Sequence, residues 1–282
     1  MFEQNRIGRA FSRAASTYQQ RSVVQERVAQ DLISLIQSAQ AVALQGSSFV
    51  AEEDLATSSQ HVSRSFFELG CGTGLLTRLL LKQYPENEID ALDLSPEMIG
   101  VAKQLCVEDP NVNFFVGDLS SFSANKRYAL VASSSALHWF RDLESVFNQL
   151  RSLLDRHGLF AFSLMIDGTL SELHELRREL FPAKIPIRSL PTDESVLRDL
   201  EACGFRICNH QVHTYKQYFA DGTAMLKAIK ELGVTNGPFS HSQSFLSRGE
   251  LRLLAQTYND RFGVQDLGVV ATYRVGFYVA CV

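Results

Sequence analysis

Phe66-Phe67-Glu68-Leu69-Gly70-Cys71-Gly72-Thr73-Gly74 is the stretch around which the chain is organised. A short apolar run ends in an acid, and three glycines follow within five residues. The run reads as a buried parallel strand and the glycines as the turn leaving it. Leu75-Leu76-Thr77-Arg78-Leu79-Leu80-Leu81 reads as the next helix. Glycine admits positive φ and lets the backbone approach a ligand with no Cβ in the way. The helix start adds unpaired N–H groups. A strand, a glycine turn and a helix in this order make a cradle for a nucleotide-type ligand.

The pattern repeats outward from that cradle. Glu88-Ile89-Asp90-Ala91-Leu92-Asp93 reads as a second strand ending in an acid. Ser95 suits an N-cap and Pro96 the first helical position, so a helix is expected over 96–107. Val112–Val116 is a third strand, closed by Gly117-Asp118-Leu119. Residues 128–133 are a fourth strand, with Ser133-Ser134-Ser135 at its carboxyl end. A helix over 142–155 and a fifth strand over 158–164 follow. This alternation predicts an α/β fold: a mostly parallel, seven-stranded sheet with helices on both faces. Ligands bind beyond the carboxyl ends of such strands. Glu68, Asp93, Asp118, Ser133 and Ser134 all fall there and are expected to converge.

Two ligand classes use a glycine turn of this kind. The dinucleotide fingerprint G-x-G-x-x-G needs its third glycine one residue later than Gly74, where this chain has Leu75. The order acid-x-G-x-G-x-G instead resembles the first motif of class I S-adenosylmethionine-dependent methyltransferases, which have a Rossmann-like fold. That cofactor has no pyrophosphate to grip, and it carries a sulfonium and an ammonium that Glu68 can balance. Asp93 comes 23 residues after Gly70, and a carboxylate there can accept two hydrogen bonds from a ribose diol. Asp118 can accept from an adenine amino group, with the Leu119 N–H beside it. The resemblance implies a cofactor site of Glu68, Gly70, Cys71, Gly72, Gly74, Asp93, Leu94, Asp118, Leu119, Ser133 and Ser134. Cys71 reads as a small residue that fits the turn, not as a nucleophile.

Composition narrows the field. At 282 residues the chain is read as one methyltransferase-sized domain, with 45% hydrophobic residues and ample core. A net charge of −4 argues against a general nucleic-acid binder. No apolar run approaches the ~20 residues of a membrane span, and no secretory signal is evident. Five cysteines without C-x-x-C spacing suggest reduced thiols, a cytoplasmic setting and no metal. A monomer is expected.

The flanks are less regular. Residues 1–37 read as an N-terminal helical cap, since Phe11, Ala14, Ala15 and Tyr18 share one helical face. Residues 38–63, rich in Ser, Ala and Gln, read as a linker. Residues 165–191 break the alternation after the fifth strand and are expected to form a helical lid insert punctuated by Pro182, Pro186 and Pro191. Thr192, Asp221 and Ser247 are expected helix caps, the last in a Ser247-x-x-Glu250 capping box.

These flanks carry a second, more specific resemblance. Ala10-Phe11-Ser12-Arg13-Ala14-Ala15-x-x-Tyr18, Leu137-His138-Trp139, Gly168-Thr169-Leu170-x-Glu172-Leu173, Leu190-Pro191, Leu232-Gly233-Val234-Thr235-Asn236 and Leu246-Ser247-Arg248-x-x-Leu251 resemble the malonyl-acyl-carrier-protein O-methyltransferases of biotin synthesis. The departures are His138, where that family often has Gln, and the longer 38–63 linker. The resemblance implies methyl transfer to the free carboxylate of a malonyl group on acyl carrier protein. That carboxylate is ionised at neutral pH, so no general base is implied. What the enzyme must supply is in-line positioning near ~3 Å and exclusion of water.

Telling malonyl from acetyl needs a cation, and an Arg fork is the natural choice. Arg188 in the insert and Arg141 after His138-Trp139 are the candidates. Tyr18 either orients the substrate carboxylate or packs in the core. Trp139 either walls the pocket or packs, and His138 either donates to substrate or is structural. An acidic carrier protein calls for a basic rim, for which Arg6, Arg9, Arg13, Arg177, Arg178 and Arg188 are available. Rival readings are a methyltransferase of a quinone precursor or other small carboxylic acid, and a silent cofactor-binding scaffold.

Overall fold

The computed structural model describes residues 2–46, 65–106, 109–184, 189–233 and 245–282. Two helices, α1 (Phe2–Arg21) and α2 (Val23–Gly46), precede the first strand. Then come β1 (Ser65–Leu69), α3 (Leu75–Gln83), β2 (Glu88–Asp93), α4 (Pro96–Leu105), β3 (Val112–Val116) and β4 (Tyr128–Ser134). The chain continues through α5 (Leu143–Leu153), β5 (Leu154–Met165), α6 (Ser171–Leu180), α7 (Asp193–Ala202), β6 (Arg206–Phe219) and α8 (Gly222–Glu231). It ends with α9 (Arg248–Phe262), the two-residue β7 (Gly263–Val264) and β8 (Gly268–Cys281).

The strands form one sheet in the order β3-β2-β1-β4-β5-β8-β6, with β7 paired to β8. Strands β1 to β5 pair parallel with one another, and β8 runs antiparallel to both β5 and β6. The mostly parallel α/β sheet expected from the sequence is therefore present, with β7 as a short addition to its seven strands. The chain order reverses at β1, which lies between β2 and β4. This is the switch point at which ligands bind in open α/β sheets.

Strand alternation splits the core into two layers. Phe66, Leu130, Ala132 and Ala161 face one side, where α2, α3, α6, α8 and α9 pack. Phe67, Leu69, Val131, Phe160 and Phe162 face the other, against α5 and α7. Local signals set the helix starts. Ser95 accepts from Met98 N at 3.1 Å with Pro96 at the first position, and Asp221 accepts from Ala224 N at 2.7 Å. Ser247 and Glu250 close the expected capping box.

Two boundaries differ from the sequence reading. Helix α2 runs to Gly46, through residues assigned to the linker; the run Ala39-Gln40-Ala41 contains no helix breaker, and Ala is the best helix former. Residues 47–64 of that linker lie outside the described residues. Strand β5 starts at Leu154, not at 158. Gly158 sits inside the strand, where a Cβ would come 2.9 Å from the Tyr128 carbonyl oxygen.

The insert after β5 is fastened to the far side of the sheet. Leu170 N donates to Thr272 O, and the Thr169 hydroxyl donates to Arg274 O at 2.8 Å. Arg261 of α9 pairs with Glu175 and Glu179 of α6. No helix among the described residues is long and apolar enough to cross a membrane.

Candidate active site

The glycine turn leaves β1 and passes over the end of β2. Gly70 N and Cys71 N both donate to Leu92 O, at 2.7 and 3.2 Å. Gly70, Gly72 and Gly74 all have positive φ, at 71°, 55° and 80°. At Gly70 a Cβ would lie 2.4 Å from the Ala136 Cβ, so the turn passes hard against the segment leaving β4. At Gly72, which lines the pocket, a Cβ would meet nothing within 4 Å.

That pocket lies beyond the carboxyl ends of β1, β2 and β4. Its wall includes Glu68, Gly70, Cys71, Gly72, Asp93 and Leu94, with Asp118, Leu119 and Ser134. Asp93 is anchored from both sides: Oδ2 accepts from Gly72 N at 2.9 Å and Oδ1 from Ser95 N at 2.8 Å. A carboxylate oxygen has two acceptor sites, so each keeps one for a ligand. Burial raises the Asp93 carboxyl above the usual range, while the Ser95, Gly72 and Leu94 N–H groups pull it down. Glu68 is 1% exposed and accepts a 2.6 Å hydrogen bond from the Thr77 hydroxyl. Burial pushes its carboxyl up to about 8, against the Thr77 hydrogen bond and with a further push from Asp93. Asp118 caps the short turn after β3, accepting from Ser120 N at 2.8 Å through Oδ1. The Cys71 thiol is held well above its usual value, chiefly by burial, which leaves it a poor nucleophile.

The pocket is covered by α1. Ile7, Gly8, Phe11 and Tyr18 line it from that helix, and Gln25 lines it from the first turn of α2. Phe11 packs edge-on to Trp139 with ring centroids 5.2 Å apart, and Tyr18 lies 6.2 Å from Phe11. Burial, with Asp93 nearby, raises the Tyr18 hydroxyl far above its usual range, so it is a neutral donor. Ser12 joins α1 to α4 through Ser95 Oγ at 2.9 Å and through Glu97. Arg21 joins it to α8 through Glu231 at 2.7 Å.

A family model described as a methyltransferase domain matches residues 66–158, the span that contains the glycine turn and both strand-tip acids. A malonyl-[acyl-carrier protein] O-methyltransferase of Ilyobacter polytropus is 30% identical over 268 residues, covering 95% of this chain and 91% of its own. The chain belongs to the malonyl-[acyl-carrier protein] O-methyltransferase family. A member from Priestia megaterium is 28% identical over 97% of this chain and 96% of its own. Among solved structures, the YcgJ protein of Bacillus subtilis aligns with a TM-score of 0.53 at 15% identity, covering 81% of this chain and 95% of that one. At that identity the likeness speaks for the fold alone. The family assignment makes the chain a methyltransferase and thus an enzyme.

Within this family member, the residues singled out from sequence divide. Glu68, Gly70, Cys71, Gly72, Asp93, Leu94, Asp118, Leu119, Ser134, Tyr18 and Trp139 come together around the pocket. Gly74 instead starts α3 and packs near Ala102 and Cys106. Ser133 is fully buried and donates to Leu69 O at 2.9 Å, so it ties β4 to β1 and does not line the pocket. His138 is buried too, and its Nδ1 accepts from Met165 N at 3.4 Å. That bond turns the ring toward β5, away from the pocket lining. Arg141 is exposed and off the lining, and Arg188 lies outside the described residues. The described residues of the 165–191 insert, expected as a lid, do not line this pocket; their bonds run to β8 and α9.

Sequence reasoning passed over Gln25, Thr73 and Ser135. Gln25 reads as one polar position in an amphipathic helix. Thr73 sits inside the glycine turn, whose sequence signal is carried by the glycines. Ser135 directly follows Ser134, and its φ of 55° is what a sequence does not show.

Proposed function

We propose that this enzyme transfers the methyl group of S-adenosylmethionine to the free carboxylate of a malonyl group on acyl carrier protein, giving the methyl ester that enters pimeloyl and biotin synthesis. The observation that carries the acceptor is the match to a malonyl-[acyl-carrier protein] O-methyltransferase across 95% of the chain, which includes the segments outside the cofactor half. The cofactor reading rests on the pocket itself. Asp93 has two anchored oxygens with acceptor capacity left, Gly72 lines the pocket at positive φ with open space beside it, and Glu68 is a buried acid with no cation bonded to it among the described residues.

In this reading Asp93 takes the ribose diol, Asp118 Oδ2 and Leu119 face the adenine, and Glu68 balances the positive end. Bound there, the cofactor supplies an electrophilic methyl group on a sulfonium. The malonyl carboxylate is already ionised, so the protein need not remove a proton. Its work is positioning and drying. α1 lays Phe11 and Tyr18 over the site and excludes water, which favours a reaction that annihilates opposite charges. Tyr18 offers a neutral hydroxyl to the carboxylate. Arg141 and Arg188 remain the candidates for the cation that distinguishes malonyl from acetyl. For carrier docking, Arg9, Arg13 and Arg178 are exposed, whereas Arg177 is half-buried and donates to Lys184 O at 2.9 Å. All five cysteines are free thiols, in keeping with work in the cytosol.

Transfer of labelled methyl to malonyl-, succinyl- and acetyl-carrier protein tests the assignment. Methyl ester is expected on malonyl-carrier protein and none on acetyl. Transfer to a quinone precursor with none to malonyl-carrier protein would overturn the acceptor and leave the methyltransferase standing.

A further inference from the structure

Two of the five cysteines meet at the edge of the sheet. Cys71, Cys106 and Cys203 are buried. Cys208 of β6 is exposed and Cys281 of β8 is 9% exposed, and their Sγ atoms lie 3.1 Å apart. Both thiols also point at one carbonyl oxygen, Arg206 O, at 3.6 and 3.7 Å. A disulfide bond measures about 2.05 Å, so the two sulfurs need to approach by only about 1 Å to be joined.

A fault in the ladder makes this contact. β6 and β8 pair antiparallel, with Arg206 opposite Cys281 and Ile207 opposite Ala280. In an unbroken ladder Cys208 would face Val279 and lie diagonal to Cys281, roughly 7 Å away. A disulfide needs Cβ atoms about 3.5–4.5 Å apart. Here Asn209 faces Val279, and Cys208 is the extra residue of a bulge. The bulge re-aims the Cys208 side chain onto Cys281. β6 is the edge strand of the sheet, so a solute reaches Cys208 from solvent. The pair lies far from the pocket. Cys281 is opposite Leu159 of β5, which pairs with Leu130 in the amino half of β4, whereas the pocket lies beyond the carboxyl end of β4.

We infer that Cys208 and Cys281 form a redox-active dithiol, which closes to an intramolecular disulfide on exposure to a small-molecule disulfide such as oxidised glutathione. The Cys208 thiolate attacks one sulfur of glutathione disulfide, and one glutathione thiolate leaves. The Cys281 thiolate then attacks Cys208 Sγ and expels the second glutathione. The two protons lost by the cysteines go to the two leaving thiolates, and two electrons pass from the pair to the oxidant. Burial, with Cys281 beside it, pushes the Cys208 thiol up to about 11. Few molecules then carry the attacking thiolate at neutral pH, and closure takes sustained exposure. The bond staples the edge strand to its neighbour across 73 positions of chain, and it shields Cys208 from irreversible oxidation.

The test incubates the full chain with glutathione disulfide for hours, titrates thiols in denaturant, and maps unreduced peptides by mass spectrometry. Free thiols are expected to fall from five to three. One peptide pair should be joined through Cys208 and Cys281, with two hydrogens lost and no glutathione retained. Dithiothreitol should restore all five thiols, and the oxidised protein should melt roughly 5 °C or more above the reduced. Cys208→Ser should keep its four thiols and show no such rise. Cys281→Ser should stop at a glutathione adduct on Cys208, because the second attacking thiol is gone. Wild-type protein that stops at that adduct, keeps all five thiols, or joins Cys208 between two molecules overturns the pair. A Cys208–Cys281 bond that does not raise the melting temperature overturns the staple. The mapping of wild-type protein decides the question if Cys281→Ser does not fold. No step involves the cofactor or the methyl acceptor, so an error in either leaves this result intact.

Discussion

Beneath the pocket, the tips of β1 and β2 are joined by Gly70 N and Cys71 N donating to Leu92 O and by the Asp93 carboxylate, which accepts from Gly72 N and Ser95 N. Over the pocket, α1 is held by side-chain ties at its two sides, Ser12 to Ser95 and Glu97, and Arg21 to Glu231. The Arg21–Glu231 pair is 42% and 25% exposed and contributes under ~1 kcal/mol. The floor is built into the sheet and moves only if the sheet moves. The cover is joined to the rest by those ties and by the buried face of Ile7, Ala10, Ala14 and Ala15, not by strand pairing. The pocket therefore has a wall built from strand tips and a cover built from a separate helix.

The largest expected effect attacks the floor. Gly70→Val puts a side chain 2.4 Å from Ala136 at φ 71°, and more than ~3 kcal/mol of stability should be lost, read from the urea midpoint. An unchanged midpoint would show that the turn is not rigid. Next is Asp93→Asn. Its amide NH₂ must face either Gly72 N–H or Ser95 N–H, both donors, and S-adenosylhomocysteine binding should weaken by about 100-fold in calorimetry. A loss under threefold would remove Asp93 from the site.

The third expectation concerns pH. Glu68 holds its proton up to about 8 in the empty pocket, above its ordinary value of 4.5. A bound cation favours the ionised form, so binding releases a proton. Affinity should fall as pH drops below about 8, by up to ~10-fold per unit. Stability of the empty protein carries the opposite sign: the native state binds the extra proton between 4.5 and about 8, so this contribution falls as pH rises through that window. Glu68→Gln should flatten both profiles, and a wild-type affinity independent of pH between 6 and 8 would refute the assignment. The smallest effect attacks the cover. Arg21→Ala should change global stability by under ~1 kcal/mol, while making α1 more accessible to limited proteolysis. A large global loss would mean that the cover is part of the core.

The floor was legible in the sequence because its signals are local. Three glycines need positive φ, two acids end strands, and Ser95-Pro96 starts a helix. The cover was legible as a helix, through the spacing of Phe11, Ala14, Ala15 and Tyr18, but its seat on the pocket was not. Gln25 becomes a site residue only through the packing of α2 on α3, β4 and β5, which no short-range pattern encodes. Ser133 and Ser134 show the same limit at smaller scale. Neighbouring strand residues point to opposite faces, and composition cannot say which one meets the ligand. The sheet turns Ser133 to Leu69 O and leaves Ser134 on the wall. Residues 38–46 read as linker because Ser and Gln weaken the apolar periodicity, yet Ala39-Gln40-Ala41 contains no helix breaker and α2 continues.

The break between the two N-terminal helices is a single residue, Ser22, bonded i to i−4 on both sides through Tyr18 O and Glu26 N. A joint that short and that well bonded couples the two helices, so α1 can move only as a rigid arm. On the proposed cofactor reading, exchange of spent cofactor would require α1 to leave the pocket that Ile7, Gly8, Phe11 and Tyr18 line. The catalytic cycle then carries a mechanical step whose rate depends on solvent drag, and kcat should slow as viscogen is added even though the chemistry beneath the arm does not change.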